Sequence, residues 1–316
     1  MTQITRRGVL AGAVGVGSLA LLGSQWPRLN GTDIPGRHDD SLSIAILGTN
    51  QDAEARQSLV KAFNTHHPDI PVRLQAVQGT DWADFFAKIL TMVAAGTPPD
   101  VCVVATEGAQ LFAERLAEPL DEFIKRDAAQ VQDYFDDVHP SLIEAFMYKG
   151  SFYQMPIDFN AANMYFNAGA MQRAGVPYPA ADWTHQDFLA MARQMRQAEG
   201  PGFVPFYWTN RLWGGIVPWL YINDTSFLTE KKSPGGEWLW DRFYPDHKGE
   251  YSGGFLWEGS NASDPKVAES FEFVRALVEE GLGTSPAQGG GNELVGQFSG
   301  GSIGMTPAGG FWVQGL

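Results

Sequence analysis

Acid–base and metal chemistry are the first possibilities to weigh in this 316-residue chain, because its carboxylates and histidines could perform them. Glu107, Asp158, Asp241 and Glu258 are available as a general acid and base on a bound molecule, yet no sequence feature pairs any two of them. The six histidines, His38, His66, His67, His139, His185 and His247, show no H-E-x-x-H or similar metal spacing. Gly300-Gly301-Ser302-Ile303-Gly304 fits G-x-S-x-G, but a nucleophile elbow sits between a strand and a helix whereas this stretch suggests a short strand, and no G-x-x-x-x-G-K-[ST] loop cradles a nucleotide phosphate. Residues 15–20 fit G-x-G-x-x-A, but that pattern holds a pyrophosphate only between a strand and a helix. Here no strand precedes it and Arg6-Arg7 does. Recognition without reaction carries the stronger compositional signal. Ten tryptophans and 12% aromatic residues accompany only 18% charged residues, which hints at ligand-facing aromatic surfaces beside indoles spent in cores and domain seams.

Charge narrows the partners. A formal net charge of −14 argues against nucleic acid, whose binding requires cationic surface to neutralise phosphate. The single cysteine, Cys102, permits no intrachain disulfide, which excludes a disulfide scaffold but not export. No cofactor is expected. At the amino terminus, Arg6-Arg7 precedes an uncharged Ala/Gly/Leu/Val run, a basic region followed by a mildly apolar one, too glycine-rich for a membrane span. Residues 1–24 therefore read as a twin-arginine export signal, with cleavage after Ala20 or Ser24, or retention as an uncleaved anchor. No cysteine lies nearby to carry a lipid. Residues 25–40, with Pro, Gly, Asn and Asp and no periodicity, read as a linker.

The elements that must position a site come in order along the chain. A strand over 41–47 leads to a polar loop at Gly48 to Gln51, and a helix period over 53–67 includes Ala55, Leu59, Ala62 and Phe63. Alternation over 72–77 predicts a second strand, and Asp81 can cap a helix over 82–95. The continuous apolar run 101–105 predicts a buried parallel strand. This β-α-β-α-β order predicts a parallel open sheet with ligands at the carboxyl ends of its strands, at Gly48 to Gln51 and at Thr106 and Glu107. Residues 110–148 read as helical and acidic. In 149–189 an apolar run at 152–157 meets a polar patch at 158–163 and a second apolar run, Met164-Tyr165-Phe166. A helix stopped by Gly175 and one capped by Thr184 or Asp182 come next, so the chain is expected to cross there between domains. Residues 219–222 predict a buried helix, and 229–263, without regular period, a long ordered loop. A helix over 266–280 opens at Asp264-Pro265 and stops at Gly281, and 300–306 suggests a short strand.

Several of these segments together resemble one family. Gly96 with Pro98-Pro99-Asp100-Val101, then Tyr153-Gln154-Met155-Pro156 with Met164-Tyr165-Phe166-Asn167, occur in its order. Ala174-Gly175-Val176-Pro177 with Trp183-Thr184 and Phe188, and finally Phe298-Ser299-Gly300-Gly301 with Ile303-Gly304-Met305 and Gly309-Gly310-Phe311-Trp312, complete the set. They are similar to the extracellular solute-binding proteins of ABC importers, in the carbohydrate-binding group that includes the maltose-binding proteins, over residues 41–316. The resemblance implies an α/β type II periplasmic-binding-protein fold: two lobes, each an open, mainly parallel sheet flanked by helices. It places an N-lobe at 41–157, a hinge at 158–162 and a C-lobe at 163–316. Members of the family continue beyond the last segment and return to the first lobe. The chain is therefore expected to lack that return, to leave an apolar face uncovered and to be poorly stable alone.

The implied ligand is a mono- or oligosaccharide, captured by a monomer outside the cytoplasmic membrane and delivered to the permease subunits of an ABC transporter. A sugar needs aromatic faces and side chains that donate and accept hydrogen bonds. The resemblance maps these to Thr49, Asn50, Gln51, Asp81, Trp82, Thr106 and Glu107 in the first lobe and to Asn160 at the crossing. In the second lobe it selects Trp208, Arg211, Trp213, Phe311 and Trp312. Asn50 and Asp81 also read as turn and cap residues, Trp82 as core, Glu107 as the start of a helix and Arg211 as a surface ion pair. The competing readings are a secreted glycoside hydrolase with paired carboxylates, and a binder of a glycerophosphodiester or polyamine, which would require a charged cleft.

Overall fold

The computed structural model describes residues 41–208, 212–284 and 291–310. The residues read as an export signal and a linker, and the glycine motif at 15–20, lie outside them. Contacts divide the chain into two compact units, Met1–Gly108 and Ala109–Leu316. Among the described residues no helix is long and apolar enough to cross a membrane.

In the first unit β1 (Leu42–Leu47), β2 (Val72–Val77) and β3 (Val101–Cys102) form a parallel sheet in the order β2-β1-β3. Helices α1 (Asn50–Ala55) and α2 (Gln57–His66) link β1 to β2, and α3 (Trp82–Ala94) links β2 to β3. The expected β-α-β-α-β order is therefore present. Its buried apolar residues include Ala45 and Ile46 of β1 and Phe85, Phe86 and Ile89, which share one face of α3. The Pro-Pro-Asp segment has a mechanical role. Asp100 accepts from the Ser43 backbone N–H at 2.8 Å and its hydroxyl at 2.9 Å, which pins β3 beside β1.

Two expectations for this unit need correction. The single helix over 53–67 is two helices broken at Arg56, because Thr49 and Asp52 form a capping box that starts a turn early, at Asn50. Leu59 and Phe63, expected to face a core, are exposed. The apolar run 101–105 pairs only at Val101 and Cys102, and Val101 is 50% exposed. Its strand lies at the edge of this sheet, so one side has no neighbour there to bury it.

The second unit contains two large hydrophobic cores and smaller clusters around Phe298 and around Tyr148. The chain first forms α4 (Ala109–Arg115), α5 (Asp121–Arg126), α6 (Gln132–Asp137) and α7 (Pro140–Ala145). A hairpin of β4 (Met147–Tyr148) and β5 (Ser151–Phe152) follows, turning at Lys149-Gly150, both at positive φ. An extended stretch then leads to β6 (Asn163–Phe166), α8 (Ala168–Ala174), α9 (His185–Glu199), β7 (Val204–Phe206) and α10 (Val217–Ile222). Next come β8 (Leu228–Lys232), α11 (Glu237–Phe243), β9 (Phe255–Ser260), α12 (Pro265–Glu279), α13 (Gly291–Ser299) and β10 (Ile303–Ala308). One core packs α8, α9, α10 and α12 against the sheet β6-β10-β7, through Met171, Phe188, Phe206, Trp219, Leu277 and Met305. The other packs α5 to α7 and the hairpin against α11, with Phe135 stacked on Phe243 at 4.0 Å.

Local signals in this unit hold. Gly175, at φ 64, ends α8, Thr184 and Asp187 form a capping box on α9, Asp264 caps α12 and Gly281, at φ 68, follows it. The loop expected over 229–263 is corrected. It contains β8, α11 and β9, and two of its three tryptophans are packing residues: Trp238 donates to Asp121 Oδ1 and Trp240 to the Ser252 carbonyl, both at 3.0 Å, whereas Trp257 on β9 is exposed. Their partners lie outside the periodicity of the segment. The same packing places residues 109–157, assigned by sequence to the first lobe, within the second unit.

Candidate functional site

Parallel strands bring their carboxyl ends to one edge, and this collects the candidates of the first unit. Asn50 and Gln51 follow β1, Asp81 and Trp82 follow β2, and Thr106 and Glu107 follow β3 in a short 3-10 turn. Asn50, Gln51, Asp81, Thr106 and Glu107 are exposed. Part of this edge is committed to the fold. Thr49 caps α1, and Asp81 Oδ1 accepts from the Asp84 N–H at 2.9 Å as the cap of α3. Asp84 in turn bonds Lys88, which together with the Thr80 N–H holds its carboxyl below the usual carboxylate range. Trp82 is half-buried, edge-on to Phe85 at 5.7 Å and tilted against Phe86 at 5.8 Å, so it serves the core and still reaches solvent.

In the second unit β10 runs parallel to β7 and antiparallel to β6. The carboxyl ends of β7 and β10 and the amino end of β6 therefore share an edge. Asn160 and Trp208 are brought there together with Gly309 and Gly310. A Cβ built on Gly310 would lie 3.9 Å from Asn160 Oδ1, and the Tyr165 hydroxyl donates to the Gly309 carbonyl at 3.0 Å. Asn160 is exposed, as expected of a contact residue. Trp208 is not. It is 6% exposed, packed in the core beneath the sheet edge, and its indole N–H has no hydrogen-bond partner. It offers no open face for stacking in this conformation. Arg211, Phe311 and Trp312 lie outside the described residues, and Trp213 lies in a turn (Leu212–Ile216) where its side chain is not described.

Sequence reasoning missed Phe159, which is 69% exposed beside Asn160. The alternation Met155, Ile157, Phe159 in an extended stretch was the available signal, since all three are exposed. Two of the carboxylates considered for hydrolysis are held in separate ion pairs. Asp241 pairs with Lys248 at 2.8 Å and Glu258 with Lys231 at 3.1 Å, both solvated ion pairs. Among the described residues no group of three His, Cys, Asp or Glu could hold a metal ion.

A cavity of about 180 Å³ lies elsewhere in the second unit, lined by His185, Trp219, Asn223, Glu269, Ser270 and Phe273, none of them candidates. His185 packs between Trp219 and Phe273, with ring centroids 5.6 and 4.5 Å away, and its Nε2 is buried without a partner. Burial lowers its pKa from the ordinary 6.5. The unfolded chain therefore binds this proton more readily, and stability declines as pH falls below 6.5 toward the folded-state value. Denaturant titrations across that range should show the decline in the parent and a smaller one in His185→Phe. Equal slopes would show that His185 does not cause it.

Comparison with known proteins places this geometry. A family model described as bacterial extracellular solute-binding protein matches residues 48–316. A Brucella abortus (strain 2308) relative named as a binding protein is 28% identical over 162 residues, 45% of this chain and 36% of the relative. An ABC substrate-binding protein from Listeria monocytogenes, solved with cycloalternan, superposes with a TM-score of 0.61 at 23% identity, covering 86% of this chain and 62% of that one. The GacH receptor of Streptomyces glaucescens, solved unliganded and with acarbose, superposes with a TM-score of 0.63 at 17% identity, covering 87% of this chain and 61% of its own. The chain thus spans about a third of the Brucella relative and under two thirds of these structures. Its α/β fold is that of the type II binding proteins, as the resemblance implied.

Proposed function

From the premise that the chain belongs to the bacterial extracellular solute-binding proteins, we propose that it captures a sugar or oligosaccharide outside the cytoplasmic membrane and delivers it to an ABC permease. The observation that supports this most is the gathering of exposed polar side chains and a part-open indole at the strand ends of the first unit. Neutral amides and hydroxyls dominate that set, and they suit sugar hydroxyls better than a phosphodiester or a polyamine. In the first unit Asn50, Gln51, Thr106 and Glu107 donate or accept hydrogen bonds and Trp82 offers its indole; in the second unit the candidates are Asn160 and Phe159. Asp81 acts with the oxygen its cap leaves over. Arg211, Trp213, Phe311 and Trp312 complete the set.

A ligand shifts the protein toward whichever arrangement it binds more tightly, so capture is a population shift. No covalent step is involved, and the protein is a carrier rather than an enzyme. Export follows the twin-arginine route, and the protein works as a monomer.

Titration of the full chain with maltose, longer α-glucans and glycerophosphocholine, followed by tryptophan fluorescence and product analysis, tests the reading. The expected result is a saturable shift with a sugar, no cleavage, and a roughly tenfold weaker Kd for Trp82→Ala. Released product would establish a hydrolase, and a response to glycerophosphocholine alone would establish a non-sugar binder.

A further inference from the structure

The cavity of the second unit has no part in the proposed function, and none of its lining residues belongs to the candidate site. Its volume of about 180 Å³ is far above the roughly 15 Å³ that one water needs. Three helices build it. His185 opens α9, Trp219 and its C-cap Asn223 come from α10, and Glu269, Ser270 and Phe273 come from α12. The aromatic part of the wall is one packed unit, because His185 touches both Trp219 and Phe273, whose rings are 4.9 Å apart.

The polar part of the wall is one-sided in its chemistry. Asn223 Nδ2 donates to the Lys266 carbonyl at 2.9 Å, to Glu269 Oε2 at 3.3 Å and to Ser270 Oγ at 3.4 Å. Three acceptors around that atom fix the amide's orientation, since the reverse would set oxygen against oxygen. Ser270 spends its hydroxyl proton on the Lys266 carbonyl at 2.9 Å or the Trp219 carbonyl at 3.4 Å. The donors of Asn223 and Ser270 are therefore used by the protein, and acceptors are left over. Among the described residues no donor reaches Asn223 Oδ1 or Glu269 Oε1, and no cation pairs with Glu269. Lys266 turns its ammonium to Asp224 instead, at 3.1 Å. Burial lowers the His185 pKa and favours its neutral ring, so Glu269 is the one charged group of the lining.

We propose that this cavity is a second binding site, for a small organic cation: a primary ammonium on a short apolar body. The ammonium has only donors and a positive charge, which complement Glu269 Oε1 and Asn223 Oδ1. Its apolar body lies against Phe273 and Trp219, whose π-electrons also attract the cation. A carboxylate as exposed as Glu269 holds a cation weakly by itself, so the aromatic wall supplies the rest. An anion would be repelled by Glu269, and a neutral polyol would leave its charge unmatched. The site does not depend on the proposed function.

The test follows amide signals of the isotopically labelled full chain, at low salt and without sugar, during titration with n-butylammonium and separately with n-butanol. Residues 219–223 and 269–273 should shift saturably, with a Kd on the order of 1 mM for the amine and at least roughly tenfold weaker for the alcohol. Glu269→Gln keeps an acceptor for Asn223 but removes the charge, and should weaken the amine on the order of tenfold. Glu279→Gln, farther along the same helix and paired with Arg275, should leave the amine's affinity unchanged. An alcohol that binds as tightly, or a Glu269→Gln protein that binds the amine as the parent does, would overturn the proposal. So would the absence of any shift, or shifts confined to residues 50, 51, 81, 82, 106 and 107, which would place the amine at the strand-end site. Because no sugar is present, each outcome stands whether or not the strand-end site binds one.

Discussion

Gly254→Val is expected to destabilise the helical core of the second unit by roughly 3–5 kcal/mol. Gly254 sits at φ +98, and a Cβ there would fall on the carbonyl of Met147. It belongs to a close approach of two backbones. A Cβ on Gly253 would meet the Pro234 carbonyl at 2.5 Å and Gly150 Cα at 2.7 Å. This contact lets Gly150 N–H reach Gly253 at 2.9 Å, Ser233 N–H reach Gly254 at 2.8 Å and Gly253 N–H reach Ser233 at 2.7 Å. A valine side chain separates the strands and removes these bonds together with the seating of α11. Gly249 provides the control, since it also has positive φ, +81, but an added Cβ meets no atom within 4 Å. Gly249→Ala should cost only about 1 kcal/mol of backbone strain. Guanidinium titrations followed by near-ultraviolet circular dichroism measure both variants, and equal losses would reject the collision account.

Arg196→Met is expected to cost about 2–4 kcal/mol, centred on the other core. The Arg196 guanidinium donates to the carbonyls of Gly200 at 3.3 Å, Pro201 at 2.8 Å and Phe203 at 2.5 Å, and to that of Gly281. Those carbonyls come after the ends of α9 and α12, where no helical N–H remains to satisfy them. The planar fork thus ties two helix ends together from one side chain. Methionine keeps the aliphatic stem but takes this donor from the Pro201, Phe203 and Gly281 carbonyls, while the Gly200 carbonyl keeps the Phe203 N–H at 3.2 Å. Arg196→Lys should recover only part of the loss, because one ammonium on a flexible stem cannot span four carbonyls. Urea titrations of the three proteins decide it. A lysine variant as stable as the parent would show that charge, rather than the fork, is what matters.

The legible parts of this fold are those whose signal and partner lie close together. Thr184 finds Asp187 three residues away, and Asp81 finds the N–H of Asp84, so both caps could be read directly. The polar candidates after β1, β2 and β3 were legible for a related reason: parallel strands must end on one edge, and the polar residues just beyond those ends are exposed. Trp208 was not legible. Its place after β7 suits a ligand-facing ring, yet it packs against residues from elsewhere in its core. The stretch 229–263 failed for the same reason. The burial of Leu239, Trp240 and Phe243 depends on Ile124, Phe135 and Phe152, which lie far earlier in the chain.

The amino-acid sequence by itself determined the caps, the glycine stops, the alternation of strands and helices in the first unit, and the motifs that carry the family. Each depends on sterics and hydrogen bonds within a few residues. Only the tertiary structure decided that Asp121 receives an indole N–H from Trp238 and that Glu144 receives the Ser252 hydroxyl. It also decided that Trp82 remains part-open while Trp208 closes, and that β8 and β9 pair across a bulge. Burial is a property of the whole chain, because water leaves a side chain only when distant segments arrive to replace it.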